Sequence, residues 1–272
     1  MEQPFMLPSH KYHPLKCLGK GSQGNVYLVE DRDGKCYAMK VGADKELMRQ
    51  ESALLKRLHH PAFPDWIDYF EEEQGYLVME YIPGISLGTF LHRKERVSPK
   101  VAEYIIEEVL LALDYLHQQT PPIIYRDLKP ENLLLDPDGH IRLVDLGSAA
   151  SKGFLVGNYG YSAPEQFWEG TKPEPDWDLY GAGKLLAYLL TGKDPCKPPY
   201  DMLSFCEKDG RICPAIYRVL QKSMAAESMG RYDCAKEFLE EMKRAFQKKG
   251  SVKKRRIVFE KSVWKSEYER IF

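Results

Sequence analysis

The stretch Ile123-Ile124-Tyr125-Arg126-Asp127-Leu128-Lys129-Pro130-Glu131-Asn132 decides how this chain is read. Asp127, Lys129 and Asn132 come from one short loop after a strand, which aims a carboxylate, an ammonium and an amide at a single point. A carboxylate accepts a hydroxyl proton, an ammonium neutralises a transferring phosphoryl group, and an amide oxygen ligates Mg²⁺. Farther on, Asp145-Leu146-Gly147 follows another apolar strand and offers a second oxygen ligand for a hard cation. A solvated polar turn would explain any one of these residues, but it explains the set poorly.

Upstream, residues 12 to 41 alternate apolar and polar positions around turn signals and read as three antiparallel strands, with Asp33-Gly34 as a hairpin turn. From Asp44 to Leu58 the apolar spacing becomes helical, and His60-Pro61 ends it. Strand-like runs follow at Pro64 to Glu71 and Tyr76 to Tyr81. A short helix is expected near Leu87 to Arg93. Ser98-Pro99 then caps a strongly periodic helix ending near His117. Helices return at Asp178 to Leu190, Ile212 to Ser223 and Cys234 to Phe246. The expected organisation is a β-rich lobe over 1–82, a larger helical lobe over 83–247 and a basic, aromatic tail over 248–272.

The β-rich part carries further candidates. Gly19-Lys20-Gly21-Ser22-Gln23-Gly24-Asn25-Val26 lies between two strands, where missing side chains let backbone lie close over phosphate oxygens. Its strand-turn-strand setting argues against a dinucleotide-binding turn, which joins a strand to a helix. Lys40 ends a strand, and Glu51 on the apolar face of the next helix is a suitable carboxylate to fix its stem. Taken alone, these two read better as a solvated strand end and an ordinary surface residue.

The ordered set GxGxxGxV, AxK, a helix Glu, xRDxKxxN, DxG and APE resembles the eukaryotic-type protein kinases. The resemblance runs from about Tyr12 to Phe246. It implies an α+β, two-lobed fold, with a five-stranded antiparallel sheet and one helix followed by a mainly helical lobe. By the same resemblance, Gly19, Lys20, Gly21, Ser22 and Gly24 cover the ATP phosphates. Lys40 binds the α- and β-phosphates while paired to Glu51, Asp127 is the proton acceptor, and Lys129 neutralises the γ-phosphate. Asn132 and Asp145 hold Mg²⁺, with Mn²⁺ as an alternative. Adenosine is implied to meet Val26, Ala38, Leu134, Ser86 and the connector Glu80-Tyr81-Ile82, with Met79 as gatekeeper. Lys129 resembles the serine/threonine class, so the implied reaction is transfer of the γ-phosphoryl group of Mg-ATP to protein hydroxyls. The run from Gly157 to Gln166 is similar in style to bacterial members. Glu165 is expected to pair with Arg231, and Asp176 and Gly181 match the helix that anchors the catalytic loop.

Some positions depart from the family pattern. Tyr125 stands for the usual histidine and Leu146 for the usual phenylalanine, and both substitutions keep a large apolar group. Asn158 replaces a threonine that would bond the catalytic Asp and Lys; an amide can make similar bonds, but its longer side chain must be accommodated, with reduced activity or an altered acceptor preference as the alternative. The segment from Asp145 to Glu165 has no threonine. Its candidate phosphosites are therefore Ser148, Ser151, Tyr159, Tyr161 and Ser162, with Ser148 or Ser151 expected unless the loop is ordered without phosphate. One rival reading is a pseudokinase or scaffold, disfavoured because Lys40, Glu51, Asp127, Asn132 and Asp145 are all present. The other is a small-molecule kinase, disfavoured by Ala163-Pro164-Glu165 and Arg231.

Composition bounds the rest. With 43% hydrophobic and 29% charged residues and a net charge of −1, the chain is neither disordered nor a dedicated nucleic-acid binder. The six cysteines lack ligand spacing and read as reduced thiols, which with the absence of a signal-like start gives a cytoplasmic expectation. Lys248, Lys249, Lys253, Lys254, Arg255 and Arg256 read first as a solvated helix end, with contact to anionic lipid the less favoured alternative. Trp264, Tyr268 and Phe272 are spaced to form one face of a docking helix.

Overall fold

A computed structural model of the chain describes residues 11–93, 96–150, 157–198 and 201–247. In chain order its elements begin with β1 (Tyr12–Gly21), β2 (Gly24–Asp31), β3 (Cys36–Gly42), α1 (Lys45–Arg57), β4 (Trp66–Glu71) and β5 (Gly75–Glu80). Next come β6 (Ile85–Ser86), α2 (Leu87–Arg93), α3 (Pro99–His117), β7 (Leu133–Leu135), β8 (Ile141–Leu143) and a single turn, α4 (Gly147–Ala150). The remainder is α5 (Pro175–Thr191), α6 (Met202–Lys208), α7 (Pro214–Ser223) and α8 (Ala235–Gln247). Two compact units result: one runs to Pro83 and takes in the segment beginning at Val144, and the other starts at Gly84 and holds the helical remainder.

The first unit is a five-stranded antiparallel sheet in the order β1-β2-β3-β5-β4. Its register sorts side chains by face, because alternate residues of a strand point to opposite sides. Val26 lies opposite Lys40 and Lys40 opposite Leu77, while Leu28, Ala38 and Met79 form the next row of the same face. The other face buries Tyr12, Val29, Tyr37, Met39, Val41, Tyr76 and Val78 as a core. Within it Phe70 stacks on Tyr76 at 4.8 Å. Helix α1 begins at Asp44, whose carboxylate accepts the Leu47 N–H at 3.0 Å. Its buried residues Met48, Glu51, Ser52 and Leu55 are three or four apart, so one stripe packs inward.

In the second unit α3 is the central helix, packed on α5 and α8, and α7 packs on α5 and α8. Ser98 caps it and Pro99 occupies its first turn, and eight apolar residues from Ala102 to Leu116 are buried. A small sheet, β6-β7-β8, lies beside it. Helix α5 ends at Gly192, whose φ of 73° is the left-handed cap that glycine adopts without strain. Among the described residues, no helix is long and apolar enough to cross a membrane.

Ile123-Ile124, expected as a strand, pairs with no other strand. The backbone donors of this segment are taken instead by the Leu116 carbonyl, which accepts from Ile123, and by a buried carboxylate described below. The basic cluster, the aromatic positions of the tail and Ser151 lie outside the described residues.

Candidate active site

In the first unit, strand β3 carries Lys40 into contact with α1 and with the segment after Val144. Its Nζ donates to Glu51 Oε2 at 2.7 Å, to Glu51 Oε1 at 2.9 Å and to Asp145 Oδ1 at 2.7 Å. Both Lys40 and Glu51 are almost wholly buried, whereas the Asp145 side chain keeps 37% of its exposure. Burial pulls the Lys40 ammonium down, but Glu51 and Asp145 more than offset this and leave it above its ordinary value, so it remains charged. Burial pushes the Glu51 carboxyl up against the pull of Lys40. Glu51 also accepts the Leu146 N–H, which ties α1 to the Asp145-Leu146-Gly147 turn. Leu146 is itself buried, so the branched side chain fills its place.

The glycine-rich turn joins β1 to β2. Gly19, Lys20, Gly21 and Ser22 are exposed, and Gly24 has a φ of 142° with Val41 backbone against the position a Cβ would take. Only glycine fits there. Gln23 turns its amide down onto Gly147 and donates to Ser148 Oγ at 3.5 Å. Ala38 and Met79 are buried on the Lys40 face, Val26 is half-buried there, and Ile82 is buried in the connector after Glu80.

In the second unit, Asp127, Lys129 and Asn132 converge. Lys129 Nζ donates to Asp127 Oδ2 at 2.6 Å. Asn132 Nδ2 donates to the same oxygen at 3.0 Å and to the Asp127 carbonyl at 2.9 Å. These bonds fix the carboxylate through one oxygen and leave Oδ1 as an acceptor. The amide oxygen of Asn132 is likewise left to accept. Leu134 and Ser86 face each other in the β6-β7 pair.

The loop holding Asp127 is anchored by a residue that the sequence reading did not single out. Asp178, fully buried in α5, accepts the Tyr125 N–H at 2.8 Å and the Arg126 N–H at 2.7 Å. His117 Nε2 lies 2.9 Å from the same carboxylate. Asp176, expected in this role, instead meets Arg231 at 3.0 Å. One helical residue separates the two positions, and only the three-dimensional turn of α5 decides which faces the loop. Gly181 lies on the same helix against Leu128. Tyr125 is wholly buried.

Arg126 and Asp145 have φ of 65° and 66° and are the positive-φ residues other than glycine among those described. Such a conformation costs of order 1–3 kcal/mol and persists where the surroundings over-determine it. Arg126 is held by Asp178 on its N–H and by Gln166 Nε2 on its carbonyl at 3.0 Å. Asp145 is held by Lys40 and by the Gly147 N–H at 3.3 Å. The strain therefore falls beside the candidate base and on the candidate metal ligand.

Two expectations for the segment before Glu165 change. Asn158 Oδ1 accepts from the Gly160 N–H at 2.9 Å and from Cys196 Sγ at 3.0 Å, and makes no bond to Asp127 or Lys129. Its short amide closes a local turn, which competes with reaching outward. Ser148, Tyr161 and Ser162 are buried, and Ser162 Oγ accepts the Asn158 N–H at 2.9 Å. Among the described candidate hydroxyls only Tyr159 is exposed, stacked at 4.2 Å on Phe167. Ser148 is thus closed to phosphorylation as it stands. Glu165 and Arg231 do pair, with Nη2 to Oε2 at 3.0 Å.

The protein kinase domain family matches residues 12–254. A cAMP-dependent protein kinase catalytic subunit of Dictyostelium discoideum is 34% identical over 68% of this chain and 30% of its own length. The human cAMP-dependent protein kinase catalytic subunit PRKX is 34% identical over 71% of this chain and 57% of its own. The cAMP-dependent protein kinase type 3 of Saccharomyces cerevisiae is 36% identical over 66% of this chain and 48% of its own. The chain therefore spans between about a third and a little over half the length of these relatives.

Proposed function

This chain belongs to the protein kinase family, and on that premise we propose that it transfers the γ-phosphoryl group of Mg-ATP to serine and threonine hydroxyls of proteins. The observation that carries the reading is the state of Asp127. Its carboxylate is clamped through Oδ2 by Lys129 and Asn132, and Oδ1 is left to take a hydroxyl proton.

Lys40 takes the α- and β-phosphates, with Glu51 holding its stem. Gly19, Lys20, Gly21, Ser22 and Gly24 lie over the phosphates, and Lys129 answers the charge of the γ-phosphate. Val26, Ala38, Met79, Glu80, Ile82, Ser86 and Leu134 take the adenosine. Asn132 and Asp145 are assigned to Mg²⁺, or Mn²⁺ in its place. Donor chemistry supports this: an amide oxygen left to accept and a partly exposed carboxylate would suit a hard cation. A divalent ion in that setting supplies neutralisation of phosphate charge. Lys129 in its place after Asp127 supports serine and threonine over tyrosine. The pseudokinase alternative is disfavoured because Lys40, Glu51, Asp127, Asn132 and Asp145 are all present, with Lys40 kept charged by Glu51 and Asp145.

The test is to incubate the full chain with γ-labelled ATP, Mg²⁺ and a generic basic protein, then separate the phosphoamino acids. Label on phosphoserine and phosphothreonine is expected. Label confined to phosphotyrosine would overturn the specificity, and no label above background would overturn the activity.

A further inference from the structure

A cavity of about 310 Å³ opens in the second unit where the start of α3, the end of α5 and the start of α7 meet. Its inner wall is apolar: Val97, Leu190 and Ile216 are buried and Ile212 is half-buried. The wall is also built firmly, because the Val97 N–H donates to the Leu189 carbonyl at 3.2 Å and fastens the entry of α3 to the last turn of α5. Its volume is about twice that of the ~150 Å³ cavity that admits benzene. It stands at the lower end of the roughly 300–1,000 Å³ of ligand sites. An alkyl chain fits against that inner wall.

One end of the cavity is cationic. Arg96, which is exposed, and Arg211 line it, beside Ser98 and Pro99 at the first turn of α3. Arg211 shares its charge with Asp209, to which its Nε donates at 2.6 Å, so Arg96 supplies most of the net positive charge. The positive end of the α3 dipole adds to it. Ser98 Oγ is engaged with the Val101 N–H at 3.4 Å and offers little to a head group. None of these side chains belongs to the Lys40 or Asp127 clusters.

We propose that this cavity binds a single-chain amphiphile with an anionic head, its alkyl chain against Val97, Leu190, Ile212 and Ile216 and its carboxylate or phosphate beside Arg96 and Arg211. The test is calorimetric titration of the full chain with dodecanoate, dodecyl phosphate and dodecanol, each below the concentration at which it aggregates. The titrations are repeated on Ile212→Trp, which fills the cavity from its rim, and on Arg96→Glu, which reverses the charge at its mouth. Thermal unfolding without ligand checks that both variants are folded, and two variants at different places keep the test open if one is not. The expected result is saturable binding of one anion per chain, about tenfold tighter than the alcohol, lost in Ile212→Trp and weakened about tenfold in Arg96→Glu. Tighter binding of dodecanoate identifies a fatty-acid head, and tighter binding of dodecyl phosphate a phosphate head. Absence of saturable binding, equal affinity for the alcohol, or binding unchanged in Ile212→Trp would overturn the proposal.

Discussion

Lys40 in the first unit and Arg231 in the second each sit between two carboxylates. Lys40 meets Glu51 and Asp145, and Arg231 meets Glu165 and Asp176. Around Arg231 both carboxylates are nearly buried, the planar guanidinium grips Glu165 with two nitrogens, and the carbonyls of Ala225 and Ala226 accept its remaining bonds. Tyr180 covers the guanidinium face at 4.8 Å. Every donor is used, which makes a lock. Around Lys40 the ammonium is a point charge, and one of its two partners, Asp145, stays over a third exposed on a strained backbone. That cluster is closed on the Glu51 side and open on the Asp145 side, so it can accept a further charged ligand. The same charge pattern thus serves architecture in one unit and suits chemistry in the other.

The largest effect should come from breaking the lock. Arg231→Met leaves Glu165 and Asp176 without their cation, and loss of one partner of a buried pair costs about 3–5 kcal/mol. Urea unfolding of the variant should show that loss, and a change under 1 kcal/mol would place Arg231 outside the fold's supports. Lys40→Met should behave differently. Phosphoryl transfer should fall by about 10²–10³, as when one electrostatic stabiliser is removed. Stability should suffer less than in Arg231→Met, since burial already raises the Glu51 carboxyl and it can take up a proton. A carboxyl raised in the folded state favours folding in its protonated form. The variant should therefore keep its stability below the usual carboxylate range and lose it as pH rises through the raised value. A variant equally stable on both sides would break the comparison.

Far smaller is the pair between Lys11 and Asp68, at 2.6 Å with Lys11 mostly exposed. Partial burial would raise the Asp68 carboxyl, but Lys11 overcomes this and holds it low. Its contribution is present at neutral pH and lost as pH falls through the lowered value. Because the pair is screened by solvent, Lys11→Ala should cost under about 1 kcal/mol at pH 7 and less in high salt. A larger, salt-independent loss would contradict this.

Elements with their own local signals were legible in the sequence. Asp44 and Ser98 each stood one residue or two before a helical stripe, and both cap the helices expected there. The hairpin at Asp33-Gly34 and the glycine-rich turn likewise carry their conformation in their residue types. Helix α6 was not foreseen, because only Met202 and Cys206 of its residues are buried, too sparse a pattern to mark one face. Ile123-Ile124 resembled a strand, yet its continuation is governed by a carboxylate more than fifty residues away. The same distance hides Asp178, which on paper differs in nothing from Asp176. Residues of the candidate site were legible because the family resemblance fixes their order. Which side chain anchors them, and that Asn158 spends its amide oxygen on Gly160 and Cys196, depends on contacts made only after folding.

In the proposed reaction Asp127 acts on the hydroxyl proton, and the fold around it stands without that action. The most direct measurement compares γ-phosphoryl transfer by the wild type and by Asp127→Asn at equal folded concentration, with unfolding midpoints measured alongside. Asparagine keeps the size of the side chain and an oxygen for Lys129 and Asn132. Transfer should be lower by about 10²–10⁴, with the midpoint nearly unchanged. Equal incorporation of label by the two proteins would contradict this.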